Sequence, residues 1–281
     1  MSGESPGRLV VVGTPIGNLG DWSPRAQQAL VDADLVACED TRRTGSLLAR
    51  HGIANPGMVV TNEHTERRAV ERILEALAAG EAVALVSDAG MPAISDPGAV
   101  VVAAVAEAGF EVVAVPGPTA VSTALSLSGF TSGRWVFEGF LPRKGRERTG
   151  RLADLAAESR IVVIYEAPHR IRRTLDDLAG HLSPDRRCVV ARELTKLHES
   201  VWRGPLRQAA EEIGEPRGEY VIVIDAAPVD PPSAPSDEEL LAAVELEREQ
   251  GASTRDAVDK VAARFGAARR HVYSLATGSS R

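Results

Sequence analysis

The strongest constraint on this chain is a rhythm. Short runs rich in β-branched apolar residues alternate with helix-length stretches, and most runs end in a turn bearing glycine or proline. The first five runs occupy residues 9–12, 35–38, 58–61, 82–86 and 112–115. Between the third and fourth, residues 65–79 place Val70, Ile73, Leu74 and Leu77 on one helical face. Such alternation predicts an α/β unit over about 8–117, its sheet largely parallel and covered on both faces. A second series of runs, at 135–138, 161–165, 188–191, 199–203 and 220–225, is less regular. Some neighbours lie too close for an intervening helix, so antiparallel pairing is expected in a second α/β unit over about 118–227. The stretch APVDPPSAPS at 227–236 reads as an extended linker. Beyond it, 237–250 (capped by Ser236), 255–265 and 269–276 read as three helices of a small tail over 237–281.

Composition narrows the class. At 281 residues the chain exceeds one typical core, which again predicts two domains. A hydrophobic share of 44% with 25% charged residues is that of a soluble globular protein. The net charge of -7 speaks against a surface given over wholly to nucleic acid, but binding follows the distribution of charge and not its sum. MSGESPGR lacks the apolar centre of a signal peptide and no apolar run is long enough to span a bilayer, so a cytoplasmic chain without a membrane segment is expected. Cys38 and Cys188 sit in strand-like runs and read as buried, reduced thiols. No HxH or CxxC spacing suggests a metal site.

Six segments carry the unusual residues. VVGTPIGNL at 11–19 turns a strand into a helix starting near Ser23 or Pro24, but it is neither a GxGxxG fingerprint nor a Walker loop. VALVSDAGMPAISDPG at 83–98 ends a strand in a long loop with two Asp, two Gly and two Pro. There Pro97 reads as a first helical residue with Asp96 as its cap, whereas Asp88 sits where open α/β sheets place ligands. VAVPGPTAVSTAL at 113–125 starts a helix near Thr119 whose small residues suit either a bulky ligand or close packing. VIYEAPHR at 163–170 puts Pro168, His169 and Arg170 in a first turn, where an arginine opposes the helix dipole unless an anion is met. VVARELTKLHESVW at 189–202 is dense in charge, and RGEY at 217–220 enters the last strand. If these strand-end turns converge, they line one cleft between the two units.

In this order and spacing, VGTPIGNLGD, CEDTRRTGSLL, LVSDAGMPAISDPG, VPGPTA, FEGFLPRKG, YEAPHR, ARELTKLHE and GEYVIVI resemble the tetrapyrrole methylase superfamily, in its branch acting on ribosomal RNA. The resemblance covers about residues 8–225. It implies an α/β, two-domain tetrapyrrole-methylase-like fold with a small helical appendage, commonly a homodimer. S-adenosyl-L-methionine would lie between the domains, and the expected reaction is methylation of the ribose 2′-oxygen of a cytidine in 16S rRNA of the small ribosomal subunit. By motif position Pro15 lies under the cofactor, and Asp88, Ala89, Gly90, Met91 and Ile94 wrap it. Thr119, Ala120, Tyr165, Glu166 and Leu194 complete the pocket. Porphyrin-type members carry GGDP where this chain reads Ala89-Gly90-Met91-Pro92, so the acid is offset to position 88. A ribose hydroxyl is a weak acid, and a base or a positive neighbour assists its attack. Glu166, Glu193, Arg170, Arg192 and Lys196 stand at strand ends as candidates.

The basic residues cluster. Arg143, Lys144, Arg146, Arg148 and Arg151 face a single acid, Glu147, and read as a mobile basic loop feeding a helix; phosphate contact and a solvated helix start are the two readings. Arg42, Arg43, Arg67 and Arg68 extend the patch. In the tail, Arg269 and Arg270 open the second of two short helices around Gly266, which resembles a helix-turn-helix or else a packing element. Two other classes compete with an RNA methyltransferase. A small-molecule methyltransferase of the same fold would not need the basic loop, and a non-catalytic RNA-binding module would not need the special residues at strand ends.

Overall fold

A computed structural model describes residues 7–54, 56–62, 64–227 and 235–278. The first sheet is built from β1 (Arg8–Val12), β2 (Leu35–Cys38), β3 (Gly57–Val60), β4 (Ala82–Leu85) and β5 (Glu111–Val115), in the order β3-β2-β4-β1-β5 and all parallel. Its crossovers carry α1 (Pro24–Val31), α2 (Thr41–Arg50), α3 (Glu66–Ala78) and α4 (Ala99–Glu107). The period of two along each strand sorts the core into two layers. Val10, Val12, Val36, Cys38 and Ala84 face Ala26, Leu30 and Leu48 of α1 and α2. Leu9, Leu35, Ala37, Val83 and Leu85 face Ala69, Ile73 and Leu77 of α3 and Val101 and Val105 of α4. Fully buried side chains such as Ile73 and Leu77 each contribute about 1.5–3 kcal/mol of apolar burial.

The second sheet follows α5 (Ala120–Ser128). It comprises β6 (Trp135–Phe140), β7 (Ile161–Glu166), β8 (Arg187–Arg192), β9 (Ser200–Pro205) and β10 (Tyr220–Ile224), ordered β6-β7-β10-β8-β9. Only β6 and β7 pair in parallel; β10 runs antiparallel to both β7 and β8, and β8 to β9. One face packs on α6 (Gly145–Ala156), α7 (Ile171–His181) and α8 (Leu206–Glu212) through Leu152, Leu155, Leu175, Leu178 and Leu206. The other face packs on Val121 and Ala124 of α5, together with Ile16 from the loop after β1.

The described residues up to Ala227 form one compact unit, and those of the tail form another. The tail holds α9 (Asp237–Glu249), α10 (Thr254–Phe265) and α11 (Arg269–Thr277) around Leu240, Val244, Val258, Val261 and Val272. Ser236 and Glu239 form a capping box at the start of α9, and Gly266 ends α10 in the left-handed conformation. Most of the linker expected at 227–236 lies outside the described residues. Both cysteines are buried and unpaired. Burial raises the Cys38 thiol and pushes Cys188 up to about 12, which keeps both protonated. Among the described residues, no helix is long and apolar enough to cross a membrane.

Candidate active site

The two topologies bring the special segments together. In the first sheet β4, β1 and β5 are adjacent and parallel, so the loops after them leave the same edge side by side. That edge, outside the carboxyl ends of the strands, is where open α/β sheets hold ligands. In the second sheet Tyr220 at the start of β10 is in register with both Glu166 at the end of β7 and Arg192 at the end of β8. The turns YEAPHR, ARELTK and RGEY therefore share one edge as well.

The first-sheet side is tied by backbone. Thr14 and Gly90 exchange hydrogen bonds, Thr14 N to Gly90 O at 2.9 Å and Gly90 N to Thr14 O at 3.1 Å. The Thr14 hydroxyl also donates to Ser87 O at 3.2 Å. Gly13 lies so close to Gly117 that a Cβ on Gly13 would sit 2.5 Å from the Gly117 Cα and 2.8 Å from the Met91 sulfur. These contacts lock GTPIGN, SDAGMP and PGPTA into one surface.

The second-sheet side is tied by charge. Lys196 Nζ donates to Glu193 at 2.9 Å and to Glu219 at 2.8 Å. Burial alone would lower the Lys196 ammonium, but the hydrogen bonds to Glu219 and Glu193 outweigh it and hold it above the ordinary lysine value. Burial would likewise raise Glu193, yet the bonds from Lys196 and the Glu219 backbone keep it below the usual carboxylate range. Glu166, 2% exposed, accepts from Ala167 N at 2.9 Å and from the Thr174 hydroxyl at 2.6 Å, and pairs with Arg170 at 3.2 Å. The two sides meet where Asn18 N donates to the Thr195 hydroxyl at 3.1 Å.

Between them lies a cavity of about 420 Å³ lined by Ile16, Ala89, Ser95, Asp96, Ala120, Phe140, Tyr165, Glu166, Ala167, Pro168, Leu194, Lys196, Glu219, Tyr220 and Val221. Of the expected cofactor residues, Ala89, Ala120, Tyr165, Glu166 and Leu194 line it, as does Lys196. Gly90, Met91 and Thr119 stand behind it. Gly90 bridges to Thr14, and Thr119 caps α5 by accepting from Ser122 N at 3.2 Å. Ile94 is 42% exposed on the same loop. Tyr165 meets Phe137 and Phe140 edge to face at 4.8 and 5.8 Å, and burial pushes its hydroxyl up to about 12.

Pro15 and Asp88 line a different cavity of about 540 Å³, with Gly17, Ser87, Asp40 and the arginines Arg42, Arg43 and Arg50 of α2. Consecutive residues of two loops, 15–17 and 87–89, divide between the two cavities, so these share a wall. Asp88 pairs with Arg43 at 3.1 Å, while its Oδ1 is buried with no hydrogen-bond partner. Burial raises the Asp88 carboxyl in spite of Arg43.

Several expectations need correction. Asp96 does not cap α4: Pro97 precedes the helix, Gly98 is its cap, and Glu66 of α3 accepts from Gly98 N at 2.7 Å and Val100 N at 3.1 Å. With that role filled from another helix, Asp96 faces the cavity. Burial first, and then the nearby Glu39 carboxylate, push it up to about 6 against a hydrogen bond from Ser87. The basic stretch after β6 is mostly helix: α6 begins at Gly145, so only Arg143 and Lys144 precede it, and Arg146 sits on the exposed first turn, as the alternative reading of a solvated helix start had it. Arg148 points inward, 4% exposed, and donates to Asp177, to Pro142 O and to the Thr174 hydroxyl. It holds α6 to α7 and is not available to a phosphate. Pro168 does not start the helix: residues 168–170 form a turn closed by Arg170 N and Ile171 N on Ala167 O, α7 starts at Ile171, and Arg170 folds back to Glu166 and donates to Leu141 O at 2.6 Å. Arg143, Lys144 and Arg146 are exposed. In the tail Arg269 pairs with Asp259, and Arg270 is exposed beside it on α11. Among the described residues, no group of three side chains could hold a metal ion.

Phe140, Ser95 and Glu219 were missed as cavity residues. RGEY marked the neighbourhood of Glu219, a left-handed φ at a non-glycine residue marks Ser95, and Phe140 on β6 carries no such mark. Ala93 and Ser95, with φ of 67° and 61°, lie in the loop after β4, and Glu193 and Thr195, with 50° and 67°, in the loop after β8. Strain of this kind gathers at ligand sites.

A fold of two such lobes with a cavity between their strand ends defines a class. The chain belongs to the Tetrapyrrole (Corrin/Porphyrin) Methylases, whose family pattern matches residues 8–210. It is 45% identical over 272 residues to a Synechocystis sp. protein named Ribosomal RNA small subunit methyltransferase I, covering 96% of this chain and 97% of that one. A Xylella fastidiosa protein of the same name is 46% identical over 228 residues, covering 80% and 83%. Among solved structures, the fold is shared with uroporphyrin-III C-methyltransferase from Thermus thermophilus complexed with S-adenosylhomocysteine. There the TM-score is 0.56 at 19% identity, covering 78% of this chain and 97% of that one.

Proposed function

We propose that this chain transfers a methyl group from S-adenosyl-L-methionine to the 2′-oxygen of a cytidine ribose in 16S rRNA of the small ribosomal subunit. The observation that carries the reading is the cavity shared by the three first-sheet loops and the three second-sheet turns. The names of the relatives support ribosomal RNA of the small subunit as substrate, the sequence motifs imply the cytidine 2′-oxygen, and the S-adenosylhomocysteine bound in the Thermus thermophilus structure supports the cofactor.

The cavity suits the cofactor. Its volume is that of small-molecule sites, its walls are mostly apolar, and Asp96 and Glu219 give it negative charge that complements a sulfonium and an ammonium. Ala89, Ala120, Tyr165 and Leu194 would hold it, with Gly90, Met91, Ile94 and Thr119 shaping the loops behind and Pro15 and Asp88 on the shared wall. The cofactor supplies an activated methyl group, and the protein positions the acceptor for in-line attack. Lys196, held protonated by two carboxylates, is the candidate for steadying negative charge on the attacking oxygen. Glu193 orients it. Glu166 and Arg170 are engaged with each other and position the turn after β7. The neighbouring cavity under α2 is the space for the reacting nucleotide.

Arg143, Lys144 and Arg146, and in the tail Arg269 and Arg270, are the proposed phosphate contacts, with α10 and α11 as a helix-turn-helix-like element. The protein is proposed to act in the cytoplasm, as a homodimer. The test incubates the full chain with labelled S-adenosylmethionine and either small subunits or free 16S rRNA, then maps the product by mass. Methyl on one cytidine ribose is expected. Label on neither RNA substrate, or only on a corrin precursor, would overturn the reading.

A further inference from the structure

Strand β6 contains an irregularity that bears on what enters beside the cavity. Its register against β7 shifts between Phe137 and Gly139, and Gly139 has a φ of 63°. A bulge of this kind re-aims the next side chain. Here it turns out Phe140, which is 54% exposed although it sits on a strand. Phe140 lines the cavity assigned above to the cofactor, and it also lines a second space of about 390 Å³ formed by Leu141, Pro142, Arg143, Ala167, His169 and Arg170. One aromatic ring thus stands at the boundary of both.

Of the two arginines lining that second space, Arg170 is paired with Glu166 and Arg143 is not paired. Arg143, Lys144, Arg146 and His169 are all exposed, and none makes a side-chain hydrogen bond or ion pair among the described residues. Elsewhere on the same unit several arginines at loops and helix starts are matched, Arg42 with Asp40, Arg43 with Asp88, Arg160 with Glu158 and Arg217 with Glu215, whereas Arg25, Arg67 and Arg68 at the starts of α1 and α3 are not. In a chain of net charge -7, an unpaired Arg143 at one outward-turned aromatic ring, with Lys144 and Arg146 following it in the chain, complements a polyanion that carries planar bases. Single-stranded RNA is held in this way, by stacking on aromatic faces and by contact of cations with its phosphates.

We propose that the space between the turns after β6 and β7 is a nucleotide subsite for single-stranded RNA. A base of the same strand, other than the reacting one, stacks on Phe140, and its phosphates meet Arg143 and His169. The proposal rests on the reading that the substrate is RNA, and it adds that the segment is unpaired where it enters.

The test titrates the full chain with a short single-stranded RNA carrying 2-aminopurine, whose fluorescence falls on stacking. Quenching is expected with the native protein and with Phe140→Tyr. Phe140→Leu should lose the quenching and bind about tenfold more weakly. Arg143→Ala should keep the quenching and reduce the slope of log affinity against log salt by about 0.7. It touches no other charge, so it carries the test if the Phe140 variant does not fold. Unchanged quenching in Phe140→Leu together with an unchanged salt slope in Arg143→Ala overturns the subsite. So does a Phe140→Leu protein that binds RNA normally but sediments as a smaller species, which would assign the ring to contact between copies. Full methylation of 16S rRNA alongside either result leaves the proposed reaction standing. Absence of methylation with quenching that depends on Phe140 removes the reaction and keeps the subsite.

Discussion

The two walls of the cavity are built by different physics. The wall from the first sheet is a backbone construction: paired amides of Thr14 and Gly90, and two glycines whose α-carbons touch. The wall from the second sheet is an electrostatic one: Lys196 between Glu193 and Glu219, and Glu166 tied through Thr174 to Arg148 and Asp177. Added bulk should break the first wall, whatever its charge. Removed charge should break the second, with little regard to bulk.

The largest effect is expected on the charged side. Arg148→Ala leaves Asp177, Thr174 and Pro142 O without their shared donor in a largely buried place. Breaking such a network costs about 3–5 kcal/mol when fully buried, and the 30% exposure of the Asp177 side chain places the expected loss near 3 kcal/mol. Urea denaturation measures it. A variant of native stability with weakened, less salt-dependent RNA binding would instead return Arg148 to the surface. On the backbone side, Gly13→Ala forces a methyl against Gly117 and Met91. A loss of about 1–3 kcal/mol is expected, together with weaker S-adenosylhomocysteine binding in calorimetry. If the alanine variant binds and unfolds like the native chain, the contact between loops is looser than described.

The smallest effect concerns Asp96, the one acid on the backbone wall that faces the cavity. Its carboxyl is raised from 3.8 to about 6, so its contribution to stability is present below the unfolded value and is lost as pH rises through about 6. A rise of that size is worth at most about 3 kcal/mol, and the partial exposure of Asp96 reduces this, so Asp96→Asn should be more stable than the native chain by about 1 kcal/mol at pH 8, with the gap closing toward pH 4. In the native chain, S-adenosylmethionine should bind more weakly as pH falls through about 6, and more steeply than uncharged-sulfur S-adenosylhomocysteine. Parallel pH profiles for the two ligands would refute a role for Asp96 near the sulfonium.

The contrast between walls also explains what could be read from the sequence. Backbone walls are written locally. GTPIGN, SDAGMP and PGPTA each end an apolar run, and the parallel order β4-β1-β5 sets all three at one sheet edge. Charged walls depend on pairing across the fold. Nothing local to Arg148 separates it from Arg146, and both lie in one basic stretch; yet Arg148, Leu152 and Leu155 recur at helical spacing, which is the pattern of a buried face. Asp96 resembled a cap because its true competitor, Glu66, lies 30 residues earlier on another helix. Phe140 was hidden because a strand's alternation predicts its facing only where no bulge intervenes. Asp88 was identified as a ligand-facing acid, but the side of the shared wall it occupies is set by Arg43 of α2.

The position of β10 has a consequence in time. It is the last strand among the described residues and the middle strand of its sheet, between β7 and β8. During synthesis the first sheet has all its strands once Val115 has emerged. The second has no centre until Tyr220–Ile224 arrives, and with that strand come Glu219, Tyr220 and Val221 of the cavity. The cavity is thus among the last features of this unit that a growing chain can complete, and a nascent chain that stops short of residue 220 carries a finished lobe with half of a cavity.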